Sequence, residues 1–290
     1  MFDYLQDSLA AFIGVTFVLG LLVGSFLNVV ILRVPKMLEA DWRQQCEEFL
    51  NPDESTKTPE RRHSLWWPPS HCPECQRRIR PWENIPVISY LWLKGRCRGC
   101  KTTISIRYPV VELFTAIVSA VVAWQFGYSF EAAAALLLSW SLIALSGIDL
   151  DHQLLPDNLT LPLIWIGLLL SLGGYFTQPQ DAIIGAVAGY LSLWSVFHLF
   201  RLLTGKEGMG YGDFKLLAVF GAWLGWQALP VVILLSSLVG ALVGIALIAF
   251  RGQDRNVPIP FGPYLAAAGW IALLWQDDLV GAYLRWAGLN

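Results

Sequence analysis

Two sets of side chains in this sequence have types and spacings that could do chemistry. The first is a cysteine quartet, Cys72-Pro-Glu-Cys75 and Cys97-Arg-Gly-Cys100, two Cys-x2-Cys knuckles separated by 21 residues. Each knuckle can set two thiolates on one metal ion, and two knuckles complete a tetrahedron. The gap is slightly longer than the roughly 15–20 residues of common ribbon spacings. Four thiolates leave no open coordination position, so the expected metal, a structural Zn2+, would hold the local fold and would not activate water. Cys46 lacks a partner at ligand spacing, and four cysteines make His63 and His71 unnecessary as substitute ligands. Arg77, Arg78, Arg80, Arg96, Arg98 and Lys101 surround the knuckles, either offsetting thiolate charge or solvated.

The second set is carboxylates at the ends of apolar runs. Asp149 follows Leu142–Ile148 and opens Asp149-Leu-Asp151-His152-Gln-Leu-Leu-Pro156-Asp157; Asp213 lies in Gly208-Met-Gly210-Tyr-Gly212-Asp213-Phe-Lys215. Ionisable groups at such places are costly in a membrane and are functional candidates. Two carboxylates sharing a site cannot both ionise easily, so one keeps a proton. The ionised partner then takes a proton from water while the protonated one polarises a carbonyl, as in aspartic proteases. Against this, Asp213 is placed as a helix N-cap would be, and the other acids could be solvated loop residues. The residues alone leave open which of Asp149, Asp151 and Asp157 would pair with Asp213. Gly208, Gly210 and Gly212 allow close backbone approach and could lie against an extended peptide.

The elements that must position these groups follow from composition. The 290 residues are 55% hydrophobic and only 14% charged, with a mean hydropathy of +0.51. A water-soluble domain carries about 25% charged residues, so a soluble globular enzyme is excluded, as are disorder, collagen and coiled coil. The expected fold is an all-α polytopic membrane protein of about eight spans, near 9–32, 110–126, 132–148, 159–176, 182–203, 214–229, 231–250 and 264–275. A polar insert separates the first two. The expected domains are therefore residues 1–32, a first transmembrane helix; 33–109, a zinc-knuckle insert; and 110–290, a seven-helix membrane domain.

Between Arg33 and Arg107 there are 14 of the 20 Lys and Arg residues and nine acids, a net +5. Alternation of the spans puts 19 of the 20 basic residues on one side and Arg285 on the other. By the positive-inside rule the insert and both aspartate loops are cytoplasmic and both termini face outward. A reducing compartment favours metal over disulfide for the quartet. No basic n-region precedes Arg33, so the first apolar run is expected to stay as a membrane helix. Nothing suggests nucleic acid as a partner. Gly20 and Gly24, Gly185 and Gly189, and Gly240 and Gly244 have the spacing of close helix contacts. Glu112 is expected to pair with Arg107, or else to meet a basic ligand. The segment Pro258-Ile-Pro260-Phe-Gly262-Pro263 reads first as a rigid turn leading into the last span, and second as a border of the active site.

Taken together, Gly24-Ser-Phe-Leu-Asn28-Val-Val, the paired knuckles, Asp149 in its Ile-Asp-x-Asp-His-Gln-Leu-Leu-Pro-Asp segment, and Gly210-Tyr-Gly212-Asp213-Phe-Lys resemble the type 4 prepilin peptidase family, in its bifunctional leader peptidase and N-methyltransferase branch. The resemblance covers nearly the whole chain. It implies an inner-membrane enzyme that cleaves the short basic leader of type 4 prepilins and pseudopilins at the cytoplasmic face. It also implies methylation of the new N-terminal residue from S-adenosylmethionine. On the same basis Asp149 and Asp213 become the catalytic pair, Asp151 and Asp157 become supporting residues, and Cys72, Cys75, Cys97 and Cys100 become the zinc ligands. No soluble-type glycine-rich loop for the methyl donor follows a strand. Asn28, Arg33 and Glu112 are polar groups near the insert that could line such a site. A peptidase without methyl transfer, a zinc-stabilised scaffold for pilus or secretion assembly, and a proton-relaying transporter are the competing readings. The last would place paired acids deep within the spans.

Overall fold

In lipid a backbone must satisfy its own hydrogen bonds, which long apolar segments do as helices. The computed structural model describes residues 6–51, 64–206, 208–251, 259–286 and 288, and every regular element among them is helical. The β pairing there is two isolated antiparallel bridges, His71 with Arg78 and Arg96 with Thr103. The chain divides into two compact units, Met1–Ala132 and Ala133–Asn290.

The first unit is built on α1 (Leu9–Leu50) and α3 (Arg107–Phe126), which lie side by side. The Ser8 hydroxyl caps α1 by accepting from the Ala11 N–H at 3.3 Å. The expected span ends at Leu32, but the helix continues past Arg33 and through Pro35 to Leu50, so only part of its 42 residues is membrane-like in composition. Lys, Glu and Gln in the extension are good helix formers, which the hydropathy signal does not register. Small residues set the α1–α3 contact. A Cβ at Gly20 would stand 2.7 Å from the Ala116 Cα, and one at Gly24 2.7 Å from the Glu112 Cα. Buried hydroxyls in this seam bond back along their own helix: Thr115 donates to the Val111 carbonyl and Ser119 to the Thr115 carbonyl, both at 2.7 Å. Asn28 Nδ2 donates across it to the Tyr108 carbonyl at 3.1 Å. Between these helices lie the two knuckles, a 3-10 turn at Pro81–Glu83 and the short α2 (Ile88–Trp92).

The second unit contains α4 (Phe130–His152, which starts just before the unit boundary), α5 (Asp157–Leu172), α6 (Pro179–Thr204), α7 (Tyr211–Leu224), α8 (Leu229–Arg251) and α9 (Gly262–Trp286). A 3-10 turn, Trp226–Ala228, joins α7 to α8, and α9 is kinked at Trp275. The eight expected spans correspond to α1 and α3–α9. Among the described residues, five stretches are long and apolar enough to cross a membrane: α1, α3, α4, α6 and Trp226–Leu247. The chain is thus a multi-pass membrane protein. Helix α7 has 14 residues, of which 11 are buried. A helix apolar on all sides belongs inside a bundle, and α7 is the core of this unit. Its backbone meets α6 at glycines: a Cβ on either Gly185 or Gly221 would run into the backbone of the other. The Trp223 indole N–H donates to the Leu163 carbonyl at 2.8 Å, joining α7 to α5.

Candidate active site and metal centre

The helix-start chemistry of α7 places Asp213. Gly210 is the N-cap in an extended conformation, and Asp213 is the third helical residue. Asp213 therefore reaches back, its Oδ2 accepting from the Gly210 N–H at 3.3 Å, as the acidic member of a capping box does. Asp149 sits in the last turn of α4. Its Oδ2 accepts from the Gly262 N–H at 3.0 Å. Both carboxylates are buried, 5% exposed for Asp149 and 7% for Asp213, and they lie within coulombic reach of each other. Among the described residues nothing donates to Oδ1 of either acid. One oxygen of each is thus oriented by a backbone amide. Asp151 and Asp157, by contrast, are exposed, and Asp157 accepts from Lys215 Nζ at 2.6 Å.

Leu155 closes the gap between the two acids' supports. A Cβ added at Gly212 would meet the Leu155 Cβ at 2.7 Å, and one at Gly262 would meet Leu155 Cδ2 at 3.2 Å and Asp149 Oδ2 at 2.7 Å. Gly212 is therefore covered by Leu155 and does not offer an open strip to a peptide, whereas a Cβ at Gly210 would find its nearest neighbour at 3.8 Å. The Pro-Phe-Gly-Pro segment, read first as a turn, does start α9 and also supplies the amide that orients Asp149; Pro258 itself lies outside the described residues. Leu155 and Gly262 escape a sequence reading because a leucine in an apolar run and a glycine between prolines have stronger structural explanations.

The four cysteine sulfurs of the first unit converge, all within 4.8 Å of one another. Cys72 Sγ and Cys100 Sγ are 3.7 Å apart. Sulfurs about 2.3 Å from a tetrahedral zinc would be about 3.8 Å apart, so the Cys72–Cys100 pair matches such an ion and the four sulfurs together could hold a metal. The two knuckles are built alike. Gln76 and Lys101, each following a second cysteine, have positive φ values of 56° and 63°. Their amides donate to the carbonyls of Cys72 and Cys97, at 2.9 and 3.0 Å. As a metal-free cluster the sulfurs would differ sharply in protonation. The Arg77 amide favours a thiolate at Cys75, but desolvation and hydrogen bonds from the other three cysteines outweigh it and push its pKa up to about 11. The Thr102 hydroxyl and amide hold Cys100 down at about 6.

Glu83 ties the knuckles together. Arg77 Nη2 donates to its two oxygens at 2.6 and 2.9 Å, and Arg98 Nη1 reaches it at 3.4 Å. Cys46, on α1, and the His71 imidazole, 3.2 Å from the Pro69 carbonyl, stand outside the cluster; His63 lies outside the described residues. Glu112 accepts from the Val87 N–H at 2.8 Å and from Ser25, so the expected pairing with Arg107 is replaced by a backbone contact within the insert. Asn28 is taken up by the Gly24 and Tyr108 carbonyls, and Arg33 donates to the carbonyls of Ser64, Leu65 and Pro68.

Two family models match the chain: the bacterial peptidase A24 N-terminal domain over residues 18–126 and the type IV leader peptidase family over residues 136–245. Similar proteins include the prepilin leader peptidase/N-methyltransferase of Pseudomonas aeruginosa, 57% identical over 100% of this chain and 99% of the relative. The protein of that name from Stutzerimonas stutzeri is 55% identical over 99% of both chains. That from Neisseria gonorrhoeae is 50% identical over 93% of this chain and 92% of its own. No solved structure matches the chain.

Proposed function

The chain belongs to the type IV leader peptidase family, and from that premise we propose that it is a bifunctional prepilin-processing enzyme. It cleaves the basic leader from type 4 prepilins and pseudopilins at the cytoplasmic face of the bacterial inner membrane, then N-methylates the new N-terminal residue from S-adenosylmethionine. The observation that carries the peptidase reading is the pair of buried carboxylates, Asp149 and Asp213, each with one oxygen held by a glycine amide. In water such acids would be exposed and fully ionised. Buried together, they share a proton between them.

The ionised member takes a proton from water, and the water oxygen attacks the scissile carbonyl carbon. The protonated member gives its proton to the carbonyl oxygen. On collapse a hydroxyl proton returns to one carboxylate, the other carboxyl protonates the leaving amine, and the C–N bond breaks. Asp151 and Asp157 stand outside this exchange, with Lys215 and Asp157 bracing α5 against α7. A prepilin brings a basic leader and an apolar helix. The helix can enter the bilayer and leave its bond at the level of the aspartates, and the side rich in Lys and Arg is the cytoplasmic one.

We assign Cys72, Cys75, Cys97 and Cys100 to a structural Zn2+, which with four thiolates supplies a fixed cross-link and no open position. In this reading the labour divides among a first helix, a zinc-knuckle insert at 33–109, whose first residues continue α1, and a membrane peptidase domain at 110–290, whose first helix, α3, packs on α1 in the first unit. The methyl donor suits the cleft of about 330 Å³ between α1 and the insert, where Phe26 and Trp66 stack with centroids 5.8 Å apart. The aromatic pair would line its adenine side, and Arg33 would face its polar parts. When bound it supplies an electrophilic methyl group, and the chain's residues orient the incoming amine. The decisive experiment incubates the purified protein with a prepilin, with and without S-adenosylmethionine, and reads the products by mass spectrometry. A leader-less product that gains one methyl mass only with the donor is expected. Cleavage without methylation would reduce the function to a peptidase, and an untouched prepilin would leave a scaffold.

A further inference from the structure

We propose that part of the insert, Pro81–Leu93, is embedded in the bilayer leaflet from which the insert emerges, so that the metal-binding knuckles are seated directly on the lipid surface.

Depth comes from two hydrogen bonds. Asn84 Nδ2 donates to Ser25 Oγ at 3.5 Å, and the Val87 N–H donates to Glu112 Oε2 at 2.8 Å. Ser25 and Glu112 are level with one another, because Gly24 packs on the Glu112 Cα. Ser25 lies inside the apolar run of α1, eight residues before Arg33, about 12 Å along a helix. Glu112 is five residues inside α3 from Arg107, about 8 Å. The segment is thus pinned below the basic residues that mark the ends of both spans. Amphipathic elements at an interface sink about 5–10 Å into the headgroup and acyl boundary, and this depth agrees.

The segment's chemistry agrees as well. Ile88, Leu91 and Trp92 share one face of α2 by their i, i+3, i+4 spacing and are 61%, 68% and 76% exposed. Trp82 and Ile85 are also exposed. The sole charge from Pro81 to Leu93 is Glu83, whose side chain is largely covered and paired with Arg77 and Arg98. Basic residues bracket the segment: Arg80, stacked on Trp82 at 5.4 Å, before it, and Lys94, Arg96 and Arg98 after it. Such side chains run their stems along apolar surface and keep their charge at the headgroups, where anionic lipid complements them.

Irregular backbone at membrane depth must also be satisfied internally, and most of the segment's amides are. Pro81 and Pro86 have no N–H to satisfy. The amide of Ile85 donates to Ser89 Oγ, that of Val87 to Glu112, and those of Glu83, Asn84, Ile88, Ser89, Leu91 and Leu93 to nearby carbonyls. A segment built for water would not need a buried carboxylate to receive one of its amides.

The test uses the full chain in nanodiscs of phosphatidylethanolamine and phosphatidylglycerol. A photoactivatable benzoylphenylalanine replaces Leu91, Trp92 or, as the reference, Glu74 on the first knuckle. Ile88 serves as a third site should either of the first two variants lose its metal. Irradiation followed by mass spectrometry is expected to give lipid adducts at 91 and 92 several-fold above those at 74. Adduct yields no higher than at 74, or adducts to a second copy of the chain in place of lipid, would overturn the proposal.

Discussion

The Gly262 amide donates to Asp149 Oδ2 at 3.0 Å across 113 residues of chain. That bond joins the start of α9 to the last turn of α4, and it makes Gly262 part of the aspartate's geometry. Replacing Gly262 by alanine puts a Cβ 2.7 Å from the carboxylate oxygen and 3.2 Å from Leu155. Displacing a reacting group by about 1 Å costs roughly a hundredfold, so Gly262→Ala is expected to lose cleavage by that order. Gly210→Ala, whose Cβ meets nothing nearer than 3.8 Å, is expected to stay within a few-fold of the parent. Initial rates on a prepilin for the two variants decide this; equal losses would show that the amide contact is incidental.

Asp149→Asn and Asp213→Asn are each expected to lower the cleavage rate by roughly a hundred- to ten-thousand-fold while leaving helix content and metal content intact. Asp157→Asn breaks the exposed ion pair with Lys215, which is worth about 0–1 kcal/mol, and is expected to cleave nearly normally. Retained cleavage by either of the first two variants would remove the shared-proton mechanism.

Metal analysis of the purified chain is expected to give one zinc per molecule. Cys72→Ser or Cys100→Ser is expected to release it and to expose the insert's amides to hydrogen exchange. Thiolates must lose their protons to bind, so the parent should also release metal as the pH falls. A chain folded and protected without metal would refute the assignment.

Burial pushes the Glu83 carboxyl up, but hydrogen bonds from the Arg77 guanidinium and the Arg80 amide, aided by Arg98, outweigh it and hold its pKa below the usual carboxylate range. A depressed pKa means that the pair stabilises the insert fully above the ordinary carboxylate pKa and loses this as the pH falls through the folded value. Glu83→Gln is therefore expected to speed hydrogen exchange around the knuckles at neutral pH. The gap from the parent should narrow as the solution is acidified below the ordinary range. A gap constant with pH would show that the charge contributes nothing.

Gly185→Val is expected to destabilise the second unit by about 1–3 kcal/mol or more, since the new side chain meets the backbone of Gly221, which cannot rotate away. Gly14→Ala, with nothing within 4 Å, should be neutral. Thermal unfolding in detergent compares them.

Periodicity and hydropathy carry much of this architecture. A run of apolar residues in lipid has essentially one way to satisfy its backbone, so the helices could be read from the sequence by themselves. The cysteine quartet was equally legible, because ligand chemistry constrains spacing within each knuckle. Burial was not. Asp149, Asp151 and Asp157 are chemically alike, and only the fold, which sets the start of α9 against the last turn of α4, hides the first and leaves the others exposed. Nor could the sequence show that Gly262 would serve Asp149, that Leu155 would cover Gly212, or that Val87 would reach Glu112. Those contacts join positions far apart in the chain or depend on how a turn folds back. Their energies come from geometry that forms only when the helices pack, which is why the tertiary structure alone decided which acids are buried and what orients them.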